Sequence, residues 1–203
     1  MVIVRFADDF VVGFERREDA ERFWAALRDR FAQFSLDLNA EKTRLIEFGR
    51  FAAERRAARG LGRPESFRFL GFTHVCAKTR KGRFKLKRIT DSKRSQAKLS
   101  ALKGELMRRR HQPIPEQGRW LASVLRGHAN YYGVPDNSKA LCAFRYYAVE
   151  HWYRALRRRS QRDRLTWTRM RYLANRWLPN PKIVHPWPND RFDARTQGRS
   201  PVR

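Results

Sequence analysis

The spacing of apolar and polar positions changes character several times along the chain. Met1 to Phe14 reads MVIVRF-ADD-FVVGF: two β-rich apolar runs flank Ala7, Asp8 and Asp9, a pattern that predicts a β-hairpin with the carboxylates at its tip. From Arg16 to Phe34 the residues Ala20, Phe23, Trp24, Leu27 and Phe31 form one helical stripe, which predicts a helix laid on a sheet. Leu36 to Phe48 reads as a turn and a strand whose apolar part is Leu45, Ile46 and Phe48. Gly49 to Ser66 is basic and holds Gly60, Gly62 and Pro64, so a loop or frayed helix end is expected. Phe67 to Phe72 then predicts a buried strand with Gly71 inside it, where either a close backbone approach or a bulge accounts for the glycine. Thr73 to Ile89 predicts a second hairpin with a basic outward face.

From Thr90 onward the period becomes helical. Thr90, Asp91 or Ser92 can cap a helix with Leu99, Leu102 and Leu106 on its apolar face, ending in Arg108, Arg109 and Arg110. Pro113 and Pro115 break it. A second helix is expected from about Glu116 through Trp120, Val124 and Leu125 to Gly133, and a third over Ser138 to Arg159 with Leu141, Phe144, Ala148, Trp152 and Ala155 on one face. These three amphipathic helices predict a small bundle. A last helix is expected within Leu165 to Trp177, followed by an extended tail rich in Pro, Asn and Arg. The fold class is therefore α+β, with divisions at 1–89, 90–177 and 178–203.

Charge sharpens this division. The 203 residues carry a net charge of +26, which points to a polyanionic partner. Met1 to Phe72 holds 14 Lys and Arg against 12 Asp and Glu, a net of +2, whereas Thr73 to Arg203 holds 32 against 8, a net of +24. A near-neutral first third with a carboxylate pair, followed by a basic remainder with interleaved aromatics, suggests a catalytic piece joined to a nucleic-acid grip. Cys76 and Cys142 form no Cys-x-x-Cys, which excludes a zinc ribbon, and the five histidines show no metal-ligand spacing. No apolar run approaches the length of a spanning helix, so the expected setting is intracellular and cytoplasmic, with no membrane partner.

Asp8 and Asp9 are the candidate chemistry. Mg²⁺ is commonly held by one or two carboxylates and substrate phosphates, the arrangement phosphoryl transfer needs; the alternative is an Asp-rich turn with no further role. Phe6-Ala7-Asp8-Asp9 resembles the Tyr/Phe-Ala-Asp-Asp box of reverse transcriptases, and Asn39-Ala40-Glu41-Lys42-Thr43 resembles the Lys-Thr stretch that follows it. Phe69-Leu70-Gly71-Phe72 is similar to the motif that closes the palm of group II intron reverse transcriptases, and Leu125-Arg126-Gly127-His128-Ala129-Asn130-Tyr131-Tyr132 to their thumb or maturase signature, with His128 where an aromatic is common. His185-Pro186-Trp187-Pro188 and Arg191-Phe192 also resemble that family's C-terminal end.

The resemblance implies the end of a polymerase palm over 1–89, a helical thumb or maturase domain over 90–177, and a basic tail over 178–203. It implies RNA-directed DNA polymerisation with Mg²⁺, together with intron RNA binding and splicing assistance. Asp8 and Asp9 would be the catalytic and metal-binding carboxylates; Phe6, Ala7, Lys42, Leu70 and Gly71 would lie at the nucleotide or primer. Arg108, Arg109, Arg110, Arg126, Tyr131, Tyr132, Arg157, Arg158 and Arg159 are the RNA-binding candidates. Lys42 also reads as a solvated lysine, the two tyrosines as core aromatics, and the arginine triplet as a basic helix end. The family's fingers and first half of the palm, with a further metal-binding carboxylate, should precede Met1, so the chain alone is expected to polymerise poorly or not at all. The expected partners are intron RNA, an RNA/DNA primer-template, and an upstream fingers-and-palm fragment or a second copy. The alternative is a polymerase-inactive, RNA-binding maturase module.

Overall fold

The computed structural model describes residues 1–162 and 164–187. The fold is α+β with small antiparallel sheets. In chain order the elements are β1 (Val2–Phe6), β2 (Asp9–Gly13), α1 (Arg17–Ala32), α2 (Ala52–Ala58), β3 (Phe67–Phe69), β4 (Phe72–Lys78), β5 (Phe84–Thr90), α3 (Ser92–Arg108), α4 (Ile114–Tyr132), α5 (Ser138–Arg157) and α6 (Trp167–Trp177). β1 and β2 form one sheet, and β3-β4-β5 a second. Two units result: residues 1–70 with 74–86, and residues 71–73 with 87–203, the division passing through β4 and β5.

In the first unit, β1 and β2 pair with Phe6 opposite Asp9 and Val4 opposite Val11. Side chains alternate across a strand, so Val2, Val4, Phe6, Asp9 and Val11 share one face and Ile3, Arg5, Phe10 and Val12 the other. Both faces are apolar, yet Val2 is 67% exposed and Phe6 63%. The predicted helix is α1; Phe23, Trp24, Leu27 and Phe31 of its stripe are half-buried and Ala20 is buried, with Phe23 tilted against Phe14 at 5.3 Å between ring centres.

Three sequence expectations are corrected in the stretch that follows. Leu45 to Phe48 forms no strand; it is held through Glu65, whose carboxylate accepts from the Glu47 N–H at 3.4 Å and from Arg44 at 3.2 Å. Within Gly49 to Ser66, expected as a loop or frayed helix end, the alanine-rich AAERRAA forms a separate short helix, α2, consistent with the helix preference of alanine. Phe67 to Phe72 is not one strand but a hairpin. Leu70 and Gly71 take φ of +49° and +75°, the two left-handed residues a type I′ turn requires.

The helical unit has a continuous core. Leu106, Leu121, Ala148, Trp152 and Met170 are fully buried, with Leu102, Leu125, Phe144 and Leu156 around them. Of the three capping candidates Asp91 does the work: its Oδ1 accepts from the Arg94 N–H at 3.0 Å. Pro113 precedes α4 and Pro115 lies in its first turn, where a missing N–H and a fixed φ are tolerated. Buried Gln117 gathers three carbonyls at and just beyond the end of α3: its Nε2 donates to Arg109, Gln112 and Arg110 at 2.8, 2.9 and 3.2 Å. Its Oε1 accepts from Trp152 Nε1 at 2.9 Å. Asn137, equally buried, ties Thr90 to the end of α4, donating to Thr90 Oγ1 and the Tyr132 carbonyl at 2.7 and 2.8 Å. After α6 the chain runs without regular structure to Trp187; Pro188, Arg191 and Phe192 lie outside the described residues.

Candidate metal and nucleic-acid sites

Two turn residues, Ala7 and Asp8, connect β1 to β2, which places Asp8 at the tip and Asp9 as the first residue of β2 opposite Phe6. Ala7 takes φ +51°, a left-handed conformation that costs a residue with a Cβ about 1–2 kcal/mol. Arg5, which the sequence did not single out, braces the turn by donating from Nε to the Ala7 carbonyl at 2.9 Å. Asp8 and Asp9 are exposed, and among the described residues neither carboxylate has an ion-pair partner. Their hard oxygens fit Mg²⁺, which takes remaining ligands from water and phosphate. Among the described residues no group of three or more Asp, Glu, His or Cys comes together that could hold a metal.

Lys42 lies in the same unit with its side chain exposed. Its backbone N–H is held at 3.0 Å by Oδ1 of Asn39, which also accepts from Glu41 at 3.1 Å, an Asx-turn that presents the lysine outward. Leu70 and Gly71 form the β3–β4 turn. A Cβ on Gly71 would lie 2.9 Å from the Tyr132 hydroxyl and 3.3 Å from Nη1 of Arg94, so this glycine admits a close approach by a side chain, where the sequence suggested a backbone or a bulge.

The RNA-binding candidates of the helical unit fall into five settings. Arg108 and Arg109 pair with Glu105 at 3.2 and 2.6 Å, Arg109 also lies over the Trp120 ring at 4.8 Å, and Arg110 donates to the Met107 carbonyl at 3.0 Å. Arg159 donates to the carbonyls of Arg110 and Gln112, so its guanidinium ties α5 to the end of α3. Tyr131 stacks on Phe72 at 5.8 Å with half its surface exposed. Tyr132 meets Phe72 edge-on at 5.2 Å, and burial pushes its phenol above the usual range.

Arg157 and Arg158 line a groove of about 540 Å³ with Lys103, Arg154, Tyr153 and Trp167. Glu150 pairs with Arg154 at 2.5 Å; among the described residues Lys103, Arg157 and Arg158 have no carboxylate partner. Tyr153 stacks on Trp167 at 4.4 Å, 22° from parallel. Free cations beside an aromatic wall are what a single strand uses, phosphates on the former and bases on the latter. His151, in the same wall, is held below its ordinary pKa by burial. Lys103 and Trp167 escaped sequence reasoning because they lie on α3 and α6, elements other than the one that carries Arg157. Arg126, exposed on α4, belongs to a separate cavity.

No helix among the described residues is long and apolar enough to cross a membrane. Residues 1–74 match the family model for reverse transcriptase (RNA-dependent DNA polymerase). That stretch contains β1, β2, both carboxylates, Lys42 and the Leu70-Gly71 turn. No curated protein and no solved structure matches the chain significantly.

Proposed function

We propose that the chain is part of a group II intron-encoded reverse transcriptase and maturase, working in the cytoplasm on intron RNA and an RNA/DNA primer-template. The observation that carries this reading is the exposed Asp8-Asp9 pair at a strained hairpin tip, inside the residues that match the reverse transcriptase family model. Asp8 and Asp9 are the residues that would hold Mg²⁺, which supplies charge stabilisation to phosphoryl transfer when bound. Ala7 and Phe6 fix the tip, Arg5 braces it, and Lys42, Leu70 and Gly71 are the candidates for contact with nucleotide or primer. In the helical unit the groove cations Arg157 and Arg158 grip phosphates. Arg108 to Arg110, Arg126, Tyr131, Tyr132 and Arg159 extend that surface or hold it in shape.

A polymerase-inactive maturase module is the second reading. It is favoured by the cations Lys103, Arg157 and Arg158 beside the stacked Tyr153 and Trp167, a surface that needs no metal to hold a strand. The two readings separate in Mg²⁺-dependent primer extension on an RNA template, run with the chain alone and with a fingers-and-palm fragment or a second copy. Extension in the mixture that falls at least about a hundredfold with Asp8→Ala, a loss of several kcal/mol of charge stabilisation, supports the polymerase. Tight RNA binding with no extension in any mixture overturns it in favour of the maturase module. In either reading Arg157→Gln with Arg158→Gln lowers the salt dependence of single-strand binding by about 0.7 in log–log slope for each phosphate contact removed.

A further inference from the structure

We propose that the cavity walled by α4, α5 and the segment following α6 holds one unstacked nucleotide of a single-stranded RNA, base inside and phosphate at the cationic rim. The inference rests on the RNA-binding reading above and adds to it a site distinct from the Arg157 groove. The cavity has a volume of about 410 Å³, within the roughly 300–1,000 Å³ of small-ligand sites. Its lining joins apolar Leu141, Phe144 and Val184 to the cations Arg126, Arg145 and Lys182, and includes no Asp or Glu. That combination suits a flat, mainly apolar body carrying an anion.

The wall is built in advance. The N–H groups of Val184 and His185 donate to the Gly133 carbonyl at 2.9 and 3.0 Å, and the His185 ring bonds the Asn130 carbonyl at 2.7 Å. At the other end of the segment, Arg145 Nε donates to the Pro179 carbonyl at 3.1 Å. Asn180 to Lys182 therefore span the cavity between two fixed points. Two polar side chains lining this cavity are left incomplete among the described residues: His128 Nε2 and Arg145 Nη2 are buried without a hydrogen-bond partner. Buried polar atoms are normally paired, and a base edge offers both donors and acceptors. His128 is itself buried and lies flat on Phe144, 3.6 Å between ring centres and 7° from parallel, so the ring is held in place for such a contact. RNA is read most often through single bases splayed out of the strand into pockets of this kind.

The test compares a short single-stranded oligoribonucleotide with an abasic strand of equal length, on the full chain and on two variants that fill the cavity while keeping every charge. Val184→Trp acts at the half-exposed segment, where a larger side chain needs no repacking of the core; Ala129→Phe acts from α4. The wild-type chain is expected to prefer the base-bearing strand by about tenfold, the scale of one base contact. Either plug should abolish that preference and leave abasic-strand affinity within about twofold, because the phosphate contacts persist. A preference that survives both plugs assigns it to another surface and overturns the cavity assignment while leaving the RNA-binding reading standing. Failure of both strands to bind overturns both. A nucleoside monophosphate that binds as tightly as the strand, and is displaced by Val184→Trp, makes this a free-nucleotide site and overturns the RNA assignment.

Discussion

The two units solve the problem of burial in opposite ways. In the helical unit, α3 to α6 bring leucines, Phe144, Met170 and Trp152 into one core, and two of its buried polar residues, Gln117 and Asn137, have hydrogen bonds to neighbouring elements. In the first unit, Ala20 and Ala52 are the only buried apolar residues among those described, and Met1, Val2, Ile3, Val4 and Phe6 stand largely exposed on the hairpin that presents Asp8 and Asp9. A lone two-stranded hairpin is marginal in water, and an apolar strand edge invites pairing with another chain. The helical unit thus has a core of its own, whereas the hairpin that carries the carboxylate tip buries little apolar surface. That contrast is why a mixing experiment, rather than assay of the chain alone, decides the polymerase question.

Trp152→Ala should break the contrast most severely. It removes a fully buried indole and leaves Gln117 Oε1 without its donor, at a cost of roughly 3–5 kcal/mol for the cavity, with the lost hydrogen bond adding to it. Denaturant unfolding followed by far-ultraviolet circular dichroism should show the cooperative transition moving to much lower denaturant or disappearing. Val4→Thr, on the exposed hairpin face, should leave that transition where it was and reduce only self-association, read by sedimentation. A large shift from Val4→Thr would mean that the hairpin is covered in solution.

Gly71 and Gly82 sharpen the comparison at one backbone angle. Both sit at φ +75° in hairpin turns, but a Cβ on Gly82 meets nothing within 4 Å whereas one on Gly71 would crowd the Tyr132 hydroxyl. Gly82→Ala should therefore cost about 1–2 kcal/mol of local strain. Gly71→Ala should cost about 1–3 kcal/mol more, the usual penalty of overpacking. The excess should shrink in a Tyr132→Phe background, measured as a double-mutant cycle of thermal melts. Equal costs at the two glycines would remove Tyr132 as the reason for Gly71.

Much of the element order was legible in the sequence because periodicity reports burial directly: the hairpin, α1 and the helices α3 to α5 follow their apolar spacing. What escaped it has three physical causes. The helix α2 lies in AAERRAA, which has strong helix formers but no apolar stripe long enough to reveal a helix by period. Leu45 to Phe48 has the residues of a strand, yet Glu65 and Arg44 hold it without a ladder, a tertiary effect that no local pattern encodes. The Leu70-Gly71 turn hides inside an apolar run because Leu70 adopts a positive φ that its residue type disfavours. At the candidate sites, the acidic tip was readable since its residues are contiguous, but the Lys103–Trp167 groove and the Arg145–His128 cavity join residues from different helices. Arg159, read as one of three equivalent arginines, turns back to two carbonyls while its neighbours face outward.

The smallest expected effect concerns acid. Burial, reinforced by the Lys98 charge, pushes His128 down to about 4 from its ordinary 6.5. Between those values the unfolded chain binds a proton at this position that the folded chain refuses, so the folded helical unit loses stability as pH falls from about 6.5 toward about 4, and the loss levels off below. The melting temperature should drop by a few degrees across that window, allowing for solvent screening. Carboxylate protonation contributes to any acid melt, so the informative quantity is the difference from His128→Phe, which keeps a flat ring on Phe144 and has nothing to titrate. That variant should show a shallower fall over the same interval, with His151, also held low by burial, supplying part of what remains. Identical pH profiles for the two proteins would mean that the imidazole reaches water in the folded state. The helical unit would then be less closed around α4 and α5 than its packing indicates.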